Sequence, residues 1–184
     1  MTPRSSRRPK PPLVPSVAET IKQSKPFRSL GHEGILALFL AADAVRRTVT
    51  LLLEEHSGLT TQQYNVLRIL RGAGEKGLPT LAITERMVEQ APGITRLIDR
   101  LEQKNWVRRE HSKEDRRQVI CRITKSGLAL LARIDEQVDG KDEEMLAMLS
   151  QKETRVLIDL LNRVRAGQAG SSSPTSTLDS TKEL

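Results

Sequence analysis

The stretch APGITRLIDRLEQKNWVRREHSKEDRRQVICRIT, residues 91–124, decides how this chain is read. Ile94, Leu97, Ile98 and Leu101 recur at i, i+3, i+4 and i+7, which commits one face of a helix to a core. At about 100° per residue the opposite face carries Thr95, Arg96, Asp99, Arg100 and Gln103. A tight turn over residues 90–93 precedes this helix, and Pro92 suits its first turn, where a missing N–H and a fixed φ cost nothing. Asn105 closes it in the left-handed conformation that Asn tolerates better than most residues. Residues 106–111 and 118–124 then read as two strands, the second turning Val119, Cys121 and Ile123 inward against Ile120 and Arg122. Between them residues 112–117 are entirely polar and form a hairpin tip. A helix with a polar, basic face followed by a charged hairpin is a device for docking on DNA.

Charge is concentrated around that device. The formal net charge is +7. Residues 95–125 hold ten Lys or Arg against five Asp or Glu, a net +5, and residues 1–28 hold seven against Glu19 alone, a net +6. The remainder is therefore acidic, at −4. Two basic regions beside an acidic remainder point to a polyanion as partner. Phe27, Phe39, Tyr64 and Trp106 are the only aromatic residues, so the core must come from Leu, Ile, Val, Met and Ala, a composition that favours helices. Cys121 is the single cysteine, which rules out an intramolecular disulfide framework and suits a reducing compartment. No apolar run approaches the roughly 20 residues that span a bilayer, and no apolar segment follows the N-terminal arginines, so a cytoplasmic protein with no membrane partner is expected.

Before the central stretch, residues 1–28 are rich in Pro, Ser and Arg and read as a disordered basic arm, Pro9, Pro11, Pro12 and Pro15 ruling out a regular helix there. Over residues 33–56, Leu38, Ala42, Val45, Val49 and Leu52 form a heptad-like stripe on a long helix that stops near Gly58. Ile35, Phe39 and Leu53 lie off the stripe, so this helix needs more than one neighbour. Thr60 and Gln63 form a capping box for a second helix ending at Gly72 and Gly74. A third helix follows near residues 81–88, with Thr80 as N-cap and Leu81, Met87 and Val88 inward. After the central stretch, Thr124 caps a long helix reaching about residue 149, weakened at Gly140. Ser150 and Glu153 cap a last helix with Val156, Leu157, Leu160, Leu161 and Val164 on one face. The Ser- and Thr-rich end reads as a disordered tail.

The motifs LTTQQYNVLRIL (59–70), TRLIDRLEQKNWVRR (95–109) and DRRQVICRIT (115–124), followed by Lys125, Ser126 and Gly127, resemble the MarR family of bacterial transcription regulators over about residues 33–166. The expected fold is mainly α (α+β): a winged helix-turn-helix DNA-binding domain flanked by long N- and C-terminal dimerisation helices. Its divisions are the arm at 1–28, an N-terminal dimerisation helix at 29–58, the DNA-binding domain at 59–124, C-terminal dimerisation helices at 125–166 and the tail at 167–184. The resemblance implies a homodimer in which the first long helix and the last two pack across a two-fold axis, here through Leu38, Val45, Leu157, Leu160 and Leu161. It implies a recognition helix in the major groove of double-stranded DNA, a wing arginine in the minor groove, and often a small-molecule effector site between the two layers. Asp115, Arg116 and Arg117 match the family's Asp-x-Arg wing motif, which makes Arg117 the minor-groove reader and gives Asp115 the orientation of a nearby arginine. Thr95 and Arg96 match the start of the recognition helix. Asn105 departs from the Gly usual there, and the first helix lacks the cysteine of the family's oxidation-sensing branch.

DNA contact is thus expected from Thr95, Arg96, Arg100, Gln103, Arg116 and Arg117, with Asp99 paired to Arg96, Arg100 or Arg116. No residue identifies an effector. Glu54, Glu55 and His56 make only a weak metal cluster, and there is no nucleophile-base pair or phosphate loop, so neither an enzyme nor a cofactor is expected. The leading reading is a dimeric repressor on a pseudo-palindromic operator. Two alternatives stand beside it: a helical scaffold whose winged helix binds protein, and a sequence-neutral chromosomal DNA binder driven by the basic arm.

Overall fold

The first two long helices begin at capping side chains and stop at glycines. In the computed structural model, which describes residues 14–89, 93–112 and 118–169, the Ser29 hydroxyl accepts from the His32 N–H and opens α2 (Leu30–Ser57). Gly58, at φ 62°, closes it by donating to the Leu53 and Glu54 carbonyls. Thr60 and Gln63 cap α3 (Thr61–Ala73) reciprocally: the Gln63 N–H donates to Thr60 Oγ1 at 3.2 Å and the Thr60 N–H to Gln63 Oε1 at 3.0 Å. A 3₁₀ turn (Gly74–Lys76) and the two-residue strand β1 (Leu78–Pro79) lead to α4 (Thr80–Arg86), α5 (Ile94–Gln103), β2 (Val107–His111), β3 (Val119–Ile123) and α6 (Lys125–Val138). The sheet is antiparallel with order β1-β3-β2, placing Leu78 and Arg109 on either side of Cys121 and Val107 opposite Ile123. This is a mainly helical winged helix-turn-helix fold.

One core joins these elements. Leu53 of α2, Leu59, Val66, Leu67 and Leu70 around α3, Ile83 of α4, Ile98 and Leu101 of α5, Val107 and Cys121 of the sheet, and Leu130, Leu131 and Ile134 of α6 are buried together. At roughly 1.5–3 kcal/mol for each fully buried aliphatic side chain, this cluster dominates the stability of the unit. Two glycines let backbones meet at its edges. A Cβ on Gly77, at φ +64°, would lie 2.5 Å from the Cys121 carbonyl oxygen, and one on Gly127 would lie 2.3 Å from that of Trp106. Only the end of α2 reaches the core: Leu30 and Phe39 on the same helix are 84% and 65% exposed.

Two compact units divide the chain, one ending at Asp142 and the other beginning at Glu143. A five-residue helix, α7 (Lys141–Met145), spans the division. The second unit holds α8 (Gln151–Ala169), opened as expected by Ser150 and Glu153, whose N–H groups each donate to the other's side chain.

Several boundaries differ from the sequence reading. Ser16 and Glu19 form a capping box that starts a one-turn helix, α1 (Val17–Thr20), directly after Pro15. Thr80 is the first helical residue of α4 and not its N-cap; Pro79 holds the cap position without a side-chain hydrogen bond, and Thr80 Oγ1 turns to Cys121 Sγ at 3.9 Å. The inward side chain is Ile83, with Met87 packed against the core as expected, while Leu81 is 71% exposed and Val88, beyond the end of the helix at Arg86, is 86% exposed. The helix after Thr124 stops at Val138 and does not run to residue 149, because Asp139 (ψ 122°) and Gly140 (φ 86°) leave helical geometry. Residues 1–13 of the arm, the turn at 90–92 with Pro92, and residues 170–184 of the tail lie outside the described residues.

Candidate nucleic-acid interface

The position of α5 follows from its two ends. Gly93, at φ 90°, turns the chain into the helix, and its carbonyl accepts from the Leu97 N–H at 3.2 Å. At the other end Asn105 takes φ 57°, as expected. Its N–H donates to the Glu102 carbonyl at 2.8 Å and the Trp106 N–H to the Leu101 carbonyl at 2.9 Å, the paired bonds of a Schellman motif. The chain is thereby reversed straight into β2. Thr124 and Ser126 both donate to the Asn105 carbonyl, at 2.6 and 2.5 Å, fastening that corner to the start of α6. Two further bonds steady the approach to α5. Asn65 Oδ1 of α3 accepts from the Val88 N–H at 3.0 Å, and Arg46 of α2 reaches Glu89 at 3.5 Å.

On this frame Ile98 and Leu101 are buried and Ile94 and Leu97 are half-buried against the core. Thr95, Arg96, Arg100 and Gln103 all face outward and are exposed. Among the described residues neither Arg96 nor Arg100 has an ion-pair partner. Two guanidinium groups and two neutral hydrogen-bonding side chains are therefore presented together on one exposed helix face.

Asp99 corrects the sequence reading. Its partner is neither Arg96 nor Arg100 but Arg109 of β2, whose Nη2 lies 2.7 Å from Asp99 Oδ1. Arg109 also grips Glu102: its backbone N–H donates to Oε1 at 2.9 Å, and Nε and Nη2 donate to Oε2 at 2.8 and 2.5 Å. These donors hold the Glu102 carboxyl below the usual carboxylate range, and the same bonds push the Arg109 guanidinium up. Sequence reasoning looked for the partner of Asp99 on the helix and at the hairpin tip, and so missed Arg109 on the strand between them. Folding the chain back at Asn105 would have found it, since Asp99 and Glu102 share a helix edge that the returning strand must pass.

The hairpin is braced at its base. Arg122 of β3 donates to Glu110 Oε2 at 2.6 Å and to the Glu75 carbonyl at 2.7 Å, and Arg108 lies 2.9 Å from Glu110 Oε1. The Ser112 N–H meets the Gln118 carbonyl at 2.8 Å, bringing the two strand ends together. Asp115, Arg116 and Arg117, the sequence-derived tip residues, lie outside the described residues. Cys121 is buried, and burial pushes its thiol up. Among the described residues no cluster of His, Cys, Asp and Glu could hold a metal ion, and no helix is long and apolar enough to cross a membrane.

The candidate dimer residues are split between the units. On α2, Leu38 is half-buried and Val45 is exposed; on α8, Leu157 is half-buried while Leu160 and Leu161 are exposed. Ile35, Phe39 and Leu51 on α2, and Val156, Ile158 and Val164 on α8, are exposed as well.

A family model described as the MarR family matches residues 59–119. The chain is similar to the HTH-type transcriptional regulator MhqR of Bacillus subtilis, with 30% identity over 135 residues that cover 72% of this chain and 92% of the relative. A MarR transcription factor from Planctomyces limnophilus is 37% identical, with a TM-score of 0.57, covering 74% of this chain and 98% of its own. A variant of MarR from E. coli complexed with operator DNA is 26% identical, with a TM-score of 0.61, at 74% and 98% coverage.

Proposed function

The chain belongs to the MarR family of transcription regulators, and from that premise we propose that it binds double-stranded operator DNA as a homodimer and represses the genes it sits on. The observation that carries the reading is the outer face of α5, where Thr95, Arg96, Arg100 and Gln103 stand exposed while the neighbouring acids are occupied by Arg109. An arginine of this face bidentate to guanine would be worth about 1–3 kcal/mol of discrimination, and one on a phosphate would set salt dependence. At the hairpin tip, Arg117 is assigned to the minor groove and Arg116 to DNA contact beside it, with Asp115 orienting a nearby arginine. A partner helix face that exposed apolar side chains would favour a protein ligand; this face exposes none.

Homodimerisation is supported by the apolar side chains that α2 and α8 leave uncovered, which include the assigned Val45, Leu160 and Leu161. Leu38 and Leu157 complete that set. Two-fold symmetry then demands a pseudo-palindromic operator with half-sites about one helical turn apart. A small-molecule effector would act by preferring one spacing of the two reading heads over another. The deciding experiment compares binding of the full chain to its own promoter and to random duplex at fixed salt. Preference for the promoter supports a sequence-specific regulator, equal affinity a sequence-neutral DNA binder, and no binding to either a role outside DNA.

A further inference from the structure

Asp99 and Glu102 put two carboxylates on the helix assigned to reading DNA, where each would repel phosphate. Arg109 answers both. Its guanidinium and backbone N–H make three bonds to Glu102, at 2.9, 2.8 and 2.5 Å, and Nη2 also reaches Asp99 at 2.7 Å. The three side chains are 31–40% exposed, at the margin of the core and not out in solvent. Strand alternation settles which way Arg109 faces. It shares its side of β2 with the buried Val107, while Arg108 and Glu110 are on the other side, exposed. The residue therefore lies between sheet and helix, with its planar fork closed on two carboxylates. To reach a phosphate it would have to abandon both.

We propose that Arg109 is a positioning residue for DNA reading: it touches no DNA, but fixes the rotation of α5 against the hairpin and masks the Asp99 and Glu102 charges, so that Arg96, Arg100 and Gln103 meet the groove. This rests on the reading of α5 as the DNA-contacting helix. The geometry also requires an arginine. One ammonium cannot bridge Glu102 side-on and hold Asp99 at the same time, so lysine keeps the charge and loses the alignment. Misalignment harms readout of bases more than attraction to phosphates, because base contacts need a fixed helix orientation and phosphate contacts tolerate many. Loss of Arg109 should thus fall on specificity.

The test measures fluorescence anisotropy of the full chain on its own promoter fragment and on random duplex over a salt series, with thermal unfolding recorded for every variant. Arg109→Gln should weaken promoter binding about tenfold and random-duplex binding less than about threefold, with the salt slope on random duplex unchanged. Arg109→Lys should fall between. In an Asp99→Asn/Glu102→Gln background no carboxylate is left unmasked, and the same Arg109→Gln change should cost less than about threefold on the promoter. That pair of neutral variants carries the comparison even where Arg109→Gln alone does not fold. An equal loss in both backgrounds, with the salt slope reduced by about one, would make Arg109 a phosphate contact and overturn the proposal. Undiminished promoter binding by Arg109→Gln would also overturn it. Failure of the unsubstituted chain to prefer its promoter is a separate outcome: it removes the reading of α5, and the Arg109 proposal with it.

Discussion

The guanidinium of Arg71 on α3 forks onto both carboxylate oxygens of Asp135 on α6, with Nη2 3.4 Å from Oδ1 and Nη1 bonded to Oδ2. Each side chain is about one-third exposed, at 34% and 32%. The pair ties the first helix after the capping box to the helix that leaves the sheet, beside a core that already joins them through Leu67, Leu70, Leu131 and Ile134. Arg71→Ala or Asp135→Asn should each cost about 1–2 kcal/mol, since either leaves a half-buried group without its partner. Removing both should cost less than the two single losses added together. Urea unfolding of the three variants measures this, and strictly additive losses would show that the two groups do not interact.

Gly127 should not accept a side chain. A Cβ there would stand 2.3 Å from the Trp106 carbonyl oxygen, which itself accepts from the Thr124 N–H at 3.0 Å. Gly127→Ala should lower stability by about 1–3 kcal/mol through forced separation of α6 from the chain entering β2 at Trp106. A melting temperature equal to that of the unsubstituted chain would contradict the close approach.

The acid side of the stability profile should carry the mark of Glu102. Its carboxyl is held low by the Arg109 donors, so its folded-state value lies below its unfolded one, which is about 4.3. A group shifted in this sense contributes fully above the unfolded value. The contribution fades as pH falls through that value and on through the lowered folded one. The chain should therefore lose more stability between about pH 5 and pH 3 than Glu102→Gln does, in urea midpoints taken across that window. Parallel pH profiles for the two proteins would sink the assignment.

Dimerisation should fail when charge enters the uncovered apolar faces. Leu160 is 47% exposed on α8 and Leu38 half-buried on α2, so neither anchors the core cluster. Leu160→Asp and Leu38→Asp should leave helix content near normal and shift sedimentation towards the monomer. An intact dimer of unchanged concentration dependence would remove both residues from the interface.

Periodicity and capping chemistry made most of the fold legible. The stripe of Ile94, Leu97, Ile98 and Leu101 packs as the spacing required, and Thr60, Thr124, Ser150, Gly58 and Asn105 bound their elements as their chemistry suggests. In α4 the buried side chain is Ile83 and not Leu81, and two equally apolar residues on opposite faces of so short a helix do not announce which face turns inward. The break after Val138 depends on Asp139 and Gly140 together, whereas Gly140 alone had suggested only a weak point. Within the candidate site the exposed basic face was readable from α5 alone. Arg109 was not, because its role appears only when the strand is folded back beside the helix.

The most direct measurement is the affinity of a folded Arg96→Ala/Arg100→Ala variant for the chain's own promoter, beside the unsubstituted protein, over a range of salt. Both guanidinium groups are exposed on α5 and, among the described residues, without an ion-pair partner, so their removal should leave the melting temperature nearly unchanged. Expected is a loss of at least about tenfold in promoter affinity, with a shallower salt dependence for each arginine that had met a phosphate. Promoter binding equal to that of the unsubstituted protein at every salt concentration would mean that α5 does not read DNA.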